Sequence, residues 1–95
     1  MFYIHYGIKT PDFLVNGQKF DLKQINGIGK YVIQGNLKNK QGQARNFIID
    51  ITNSDINVQE ATHQIIDIYN SIHYLWINII ILIKNNDVLK IYKRS

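Results

Sequence analysis

The segment from residue 74 to residue 95, YLWINIIILIKNNDVLKIYKRS, constrains the fold more than any other part of the chain. It opens with an apolar run that ends at Ile83 and is dominated by isoleucine. This run is shorter than the ~20 residues that a transmembrane helix needs, and β-branched isoleucine favours strands. The segment therefore predicts a buried strand, with no membrane span, followed by a second strand of alternating character.

The loop between these two strands decides which side chains share a face, because a slip of one residue moves every side chain to the opposite face. A loop of residues 85–86 would place Lys90 opposite Ile81, and a charge on a buried aliphatic face is costly. A loop of residues 85–87 places Ile91 there instead. We therefore predict the three-residue loop, with an Asn or Asp in the left-handed conformation.

With that loop, the strand pair has one aliphatic face and one face of aromatic rings and cations. The aliphatic face is predicted to pack under a helix and consists of Leu75, Ile77, Ile79, Ile81 and Ile83. The other face is predicted to bind a partner, because aromatic residues and arginine are enriched at protein interfaces and can also stack on bases or neutralise phosphates. Its residues are Tyr74, Trp76, Asn78, Ile80, Lys84, Lys90, Tyr92 and Arg94. In the alternative interpretation, Trp76 and Tyr92 are structural and pack under an N-terminal hairpin.

The first half of the chain also predicts strands. Residues 2–9 alternate apolar and polar side chains until Pro11 interrupts them. Asn16-Gly17 predicts a hairpin turn that pairs Phe13 with Phe20. Residues 30–38 and 44–52 are predicted to form two further strands, joined by a polar loop.

One helix is predicted, at about residues 57–72. Asn57, with Glu60 three residues later, resembles a capping box. An apolar stripe at helical spacing follows, formed by Val58, Ala61, Ile65, Ile68 and Ile72. His63 and Asp67 fall on the opposite side, which is predicted to face solvent.

These elements predict a single α+β domain over residues 1–95. It consists of an antiparallel or mixed sheet of about five strands, a small N-terminal hairpin and one helix packed on one face. The predicted order is β-ββ-ββ-α-ββ.

Composition narrows the class of partner and the compartment. The chain has no cysteine, which excludes disulfides, thiolate nucleophiles and cysteine-containing zinc sites. Its N-terminus lacks the layout of a signal peptide, so a cytoplasmic location is expected. The net charge of +4 permits nucleic-acid or acidic-protein partners. A secondary basic patch is predicted at Lys30, Lys38, Lys40 and Arg45.

The sequence predicts no catalytic, metal or cofactor site. Only His5, His63 and His73 could transfer protons near neutral pH, and their spacing does not bring them together. The acidic residues are scattered without a close pair, and GIGK at residues 27–30 lacks the rest of a phosphate-binding loop.

We therefore predict a small non-enzymatic binding protein: an inhibitor, adaptor or accessory subunit, for example of phage or mobile-element origin. It would occupy a surface of a protein or nucleoprotein complex. One alternative is a nucleic-acid-binding module that uses the basic-aromatic face, and a second is a metal-independent nuclease that uses histidines. Association with a second copy through the uncovered sheet face or the last strand is a related alternative.

Overall fold

The computed structural model describes residues 12–15 and 17–94, which form a mixed sheet with two helices on one face. The strands are β1 (Asp12–Val15), β2 (Gln18–Gln24), β3 (Asn46–Asp50), β4 (Ile79–Lys84) and β5 (Asp87–Lys93). The helices are α1 (Val32–Leu37) and α2 (Val58–Asn70), and a 3-10 turn spans Ile72–Tyr74. Within the described ranges, no helix is long and apolar enough to cross a bilayer.

The five strands lie in the order β1-β2-β3-β4-β5. The three central strands are parallel to one another, and the outer pairs β1–β2 and β4–β5 are antiparallel. Parallel neighbours require a crossover connection, and here α1 connects β2 to β3 while α2 connects β3 to β4. The prediction of an α+β fold with a mixed sheet and one main helix is confirmed. The finer prediction of strand number and order is not fully matched.

Two of the predicted strands differ from the structure or lie outside it. Residues 30–38 contain α1 instead of a strand. Ile33 and Leu37 are four residues apart, so one turn of helix buries both of them against α2. The segment is a crossover between the parallel strands β2 and β3. The predicted strand at residues 2–9 lies outside the described residues.

The N-terminal hairpin has the predicted register, with Phe13 paired to Phe20. It is not a separate element, however, because β2 also pairs in parallel with β3 along Asp21–Gln24. The hairpin therefore supplies two strands of the main sheet.

Helix α2 begins as predicted, with the Asn57 side chain accepting a hydrogen bond from the Glu60 N–H at 2.7 Å. Ala61, Ile65 and Ile68 are buried on the sheet. Ile72 is 79% exposed, because the helix ends at Asn70. The residue that joins α2 to α1 was not predicted.

That residue is Gln64, which is buried although it is polar. Its Oε1 accepts a hydrogen bond from the Ile33 N–H at 3.1 Å, and its Nε2 donates to the Gly29 carbonyl at 3.1 Å. Buried amides need such partners. Gln64 thus fixes the start of α1 against α2.

The C-terminal hairpin has a two-residue turn, so the predicted three-residue loop is wrong. Asn85 and Asn86 both have positive φ, +53° and +65°, as the favoured two-residue hairpin turn requires. A β-bulge at Leu89 then adds one residue to β5. The bulge restores the predicted pairing of Ile81 with Ile91.

The side chains of this hairpin divide between two faces largely as predicted, but the helices cover the face that was predicted to be open. Ile79, Ile81 and Ile83 share one face, as predicted, yet that face lies away from the helices. Ile80 and Leu82 lie on the face that packs against α2, together with Tyr92. Two other predicted core positions also differ. Leu75 is 59% exposed, and Ile77 packs with the helix-side cluster, because β4 begins only at Ile79.

Arg94 and Tyr69 tie the end of β5 to α2. The Arg94 guanidinium donates hydrogen bonds to the carbonyls of Tyr69, Tyr74 and Ile77 at 2.9–3.1 Å. It also lies 4.8 Å from the centroid of the Tyr69 ring, within the range of a cation–π contact. The Tyr69 hydroxyl donates to the Asn78 carbonyl at 2.8 Å.

The Tyr69 hydroxyl predicts a loss of stability at high pH. Burial raises the pKa of Tyr69 to about 12, whereas an unfolded tyrosine has a pKa of about 10. Its contribution is therefore complete below the unfolded value and is lost as pH rises through the folded value. We expect the unfolding free energy, measured with urea, to fall more steeply over this pH window in the wild type than in Tyr69→Phe. Tyr31→Phe, at an exposed position, is the matched control and should behave like the wild type.

Candidate functional site

A cleft of about 660 Å³ opens beside the start of β2 and β3. The segment between α1 and β3 forms one wall, and Trp76, which follows the 3-10 turn, forms another. The cleft is lined by Gln18, Lys19, Asp21, Gln41, Gly42, Gln43, Ala44, Arg45, Asn46 and Trp76. Most of these side chains are polar or charged, and only one is acidic.

That acidic residue, Asp21, is 8% exposed. Its Oδ2 lies 3.3 Å from the Lys23 Nζ, while its Oδ1 is buried with no hydrogen-bond partner among the described residues. A buried carboxylate oxygen without a donor is costly. Such a group in a native structure calls for an explanation, and a catalytic role is one of those that account for it.

The geometry of β2 explains why the Asp21 carboxylate and the Lys23 ammonium lie close together. Residues two apart on a strand point to the same face, so Asp21 and Lys23 lie side by side on β2. The backbone partner of Asp21 on β1 is Asp12, a second acidic residue. The register thus places the backbones of two acidic residues opposite each other, and the expectation that no close acidic pair exists stays a prediction.

A second unsatisfied oxygen lines the same cleft. The Asn46 side chain donates to the Lys19 carbonyl at 3.3 Å, and its Oδ1 is buried without a partner among the described residues. Asp21 and Asn46, which both line the cleft, thus each carry a buried oxygen that no described protein group satisfies.

Trp76 forms the aromatic wall of the cleft. Its indole N–H donates to the His73 carbonyl at 3.1 Å. Its ring meets the buried Phe47 ring edge-on, with centroids 5.9 Å apart and an interplanar angle of 75°. These two contacts hold the indole in one orientation, and the side chain stays partly exposed.

The predicted partner-binding residues do not form one open surface. Ile80 is fully buried, and Tyr92 stacks on Tyr69 beneath α2. Arg94 is occupied by three backbone carbonyls. Asn78 is tied into the backbone, since its N–H donates to Arg45 and its carbonyl accepts from Arg94.

The remaining members of that set are more accessible. Lys90 is exposed, with its Nζ 5.7 Å from the centroid of the Tyr92 ring. Lys84 and Tyr74 are partly exposed, and Tyr74 lies against Trp76. A role in partner binding stays a prediction for these residues.

The residues of the predicted secondary basic patch lie before and after α1, with Lys30 ahead of the helix and Lys38, Lys40 and Arg45 following it. Lys30, Lys38 and Arg45 are exposed, and Lys40 is partly exposed. Of these, Arg45 lines the cleft. Lys30 lies 5.8 Å from the Tyr31 ring instead.

The histidines that the structure describes do not line the cleft. His63 is exposed on α2 and pairs with Asp67 at 3.4 Å, and His73 is exposed in the 3-10 turn. His5 lies outside the described residues. Among the described side chains, no group of three or more His, Asp or Glu could hold a metal ion.

The sequence matches the family model of the contact-dependent growth inhibition CdiA C-terminal domain over residues 9–88. The chain belongs to this family. A solved structure described as a CdiA-CT/CdiI toxin and immunity complex from Burkholderia pseudomallei is 26% identical to the chain and superposes with a TM-score of 0.70. The match covers 97% of this chain and 68% of the B. pseudomallei chain. A comparison with curated proteins gives no significant match.

Membership in the CdiA C-terminal domain family corrects the functional prediction. Domains of this family are growth-inhibition toxins and are usually nucleases, so the prediction that the chain is not an enzyme is wrong. The description as an inhibitor or adaptor is likewise unsupported. That prediction rested on the absence of a recognised motif.

The residues that sequence reasoning missed are Asp21 and Lys23. The signal was present, because Asp-Leu-Lys on a predicted strand places the carboxylate and the ammonium on one face. The predicted pairing of Phe13 with Phe20 also extends by one residue to Asp12 and Asp21. The CdiA C-terminal domain thus carries its candidate site in the N-terminal hairpin.

Proposed function

We propose that this CdiA C-terminal domain is a nuclease and that Asp21 and Lys23 are its catalytic residues. The observation that carries the proposal is the buried Asp21 carboxylate, which has one oxygen on Lys23 and the other unsatisfied, in a cleft. Membership in a family whose toxins are usually nucleases supports the same reaction class. Asp12, the backbone partner of Asp21, is the candidate for a second carboxylate.

The two side chains suit hydrolysis of a phosphodiester. The free oxygen of Asp21 accepts the proton of the attacking water, or binds a cation that activates that water. The water oxygen bonds to phosphorus as the bond to the leaving oxygen breaks, and the leaving oxygen takes a proton from solvent. The Lys23 ammonium stabilises the negative charge that accumulates on the phosphoryl oxygens.

The charges around the cleft suit a polyanionic substrate. Lys19 and Arg45 line the cleft with Asp21, and the chain carries a net charge of +4. Lysine and arginine attract phosphates, and the resulting binding weakens as salt rises. These residues support a nucleic-acid substrate over a neutral one.

A cleavage assay tests the proposal. The purified chain is incubated with RNA and with DNA oligonucleotides, with and without a chelator, and the products are sized on a denaturing gel. We expect endonucleolytic products. The chelator arm separates the direct and the cation-assisted routes through Asp21, and the absence of cleavage in every arm would overturn the proposal.

The same assay tests the histidine alternative. We expect the double variant His63→Ala/His73→Ala to cleave at the wild-type rate, because both side chains are exposed and no described contact joins either of them to Asp21. His5→Ala completes the set. Loss of cleavage in any of the three substitutions, with the fold intact, would favour the histidine mechanism instead.

We also propose a protein partner of the immunity type. The support is the B. pseudomallei structure, which is described as a toxin and immunity complex. Co-expression of the chain with a cognate CdiI-type immunity protein should restore the growth of a cell that the chain inhibits. Failure of that protein to bind the purified chain would overturn this second proposal.

A further inference from the structure

We propose that the cleft binds the base of an unpaired nucleotide, stacked on the Trp76 indole beside Asp21. This inference rests on the proposed nuclease function and names the substrate class: single-stranded or unpaired nucleic acid. Three features of the cleft carry it, namely a fixed aromatic wall, a lining rich in side-chain amides and a limited volume.

The aromatic wall is preorganised. The Trp76 ring is held by its hydrogen bond to the His73 carbonyl and by the edge of Phe47. A ring that is already ordered loses little conformational freedom when a base stacks on it. Aromatic side chains placed in this way are the usual platforms for bases of single strands.

The amide groups suit the edge of a base. A base edge offers amino and imino N–H donors as well as nitrogen and carbonyl acceptors. Gln18, Gln41 and Gln43 line the cleft with both donors and acceptors. A phosphate, which carries only acceptors, would use only the N–H donors of these amides.

The volume of the cleft favours an unpaired base over a base that is paired in a duplex. At about 660 Å³, the cleft lies within the range of roughly 300–1,000 Å³ that is typical of small-ligand sites. A base inside a duplex cannot reach a concave wall unless it leaves the stack. An unpaired nucleotide enters without that cost, so the chain should prefer single strands.

Intrinsic fluorescence tests the inference directly, because Trp76 is the single tryptophan of the chain. The Asp21→Asn full-length chain is titrated with a single-stranded oligonucleotide, with the same strand in a duplex, and with an abasic strand of equal length, each as RNA and as DNA where available. We expect quenching by the single strand. The duplex and the abasic strand should bind at least about 10-fold more weakly, since stacking on one base is lost.

Variants of the ring give a second readout. With a labelled oligonucleotide followed by anisotropy, Trp76→Leu should weaken binding by about 5- to 100-fold, and Trp76→Phe, which keeps a ring, should lose much less. Circular dichroism establishes that each variant is folded. If Trp76→Leu does not fold, the quenching titration and Trp76→Phe still decide the matter.

The outcomes separate this inference from the nuclease proposal. Equal binding by the abasic strand or the duplex would overturn the base site, even if the wild type cleaves and Asp21→Asn does not. Base-dependent quenching without cleavage by the wild type would overturn the nuclease proposal and leave a base-binding cleft. Absence of quenching by every oligonucleotide would overturn the base site.

Discussion

Replacement of Asp21 by asparagine is expected to lower nucleic-acid cleavage by about 10²- to 10⁴-fold, the usual contribution of a positioned acid or base. Asparagine keeps the shape of the side chain but cannot accept a proton from water and binds cations weakly. The loss should appear in kcat, because phosphate binding depends on the neighbouring lysine and arginine side chains. The growth inhibition caused by the chain should disappear with it.

The control for this variant is Asp67→Asn. Asp67 carries the same side chain as Asp21, but it lies exposed on α2, paired with His63. This variant should cleave at the wild-type rate. Urea unfolding of both proteins separates chemistry from folding, and we expect Asp21→Asn to remain folded. Cleavage by folded Asp21→Asn at the wild-type rate would contradict the assignment of Asp21.

The second large effect is expected from Ile80→Asp, which should unfold the chain. Ile80 is 0% exposed in the cluster between the sheet and α2. A carboxylate there would be buried without a partner, at a cost of about 4 kcal/mol or more. Domains of this size are stable by roughly 5–15 kcal/mol, so most of the stability would be lost.

Ile91→Asp is the matched comparison, because the same substitution is made on the neighbouring strand at a position that is 53% exposed. It should change the unfolding free energy by about 1 kcal/mol or less. Circular dichroism with urea titration measures both variants. A folded Ile80→Asp protein that has lost only partner binding would instead restore the contact face that the sequence predicted around Ile80.

Local signals in the sequence predict a good part of the fold. Asn57 and Glu60 predict the start of α2, and the Asn16-Gly17 turn predicts the register of Phe13 and Phe20. Parity also places Ile79, Ile81 and Ile83 of β4 on the face opposite to Ile80 and Leu82, as observed. These predictions succeed because each depends on residues a few positions apart, where backbone periodicity alone decides the outcome.

The failures concern choices that periodicity leaves open. Parity says that Ile80 and Ile81 point to opposite faces, but it does not say which face the helices cover. That choice depends on crossovers between β2, β3 and β4, which are distant in sequence. The six-residue helix α1 is also too short to establish a helical period.

The sequence predicted only part of the candidate site. Trp76 was predicted to bind a partner and it lines the cleft, whereas Asp21 was dismissed as one scattered acid. The predicted hairpin register already implies that Asp12 lies opposite Asp21. The sequence could not show that the Asp21 carboxylate is buried with an unsatisfied oxygen, because that depends on the segment between α1 and β3 folding over β2.

The bulge at Leu89 has a consequence for the behaviour of the chain at high concentration. β5 is the outer strand of the described sheet on that side, and a regular outer strand invites copies of the same chain to stack edge to edge into aggregates. The extra residue breaks the regular spacing of N–H and C=O groups along this edge. Lys90 and Lys93 on the same strand are exposed, and their charges repel the same lysines of a second copy of the chain. A toxin built this way can expose Leu89 and Ile91 and still remain dispersed.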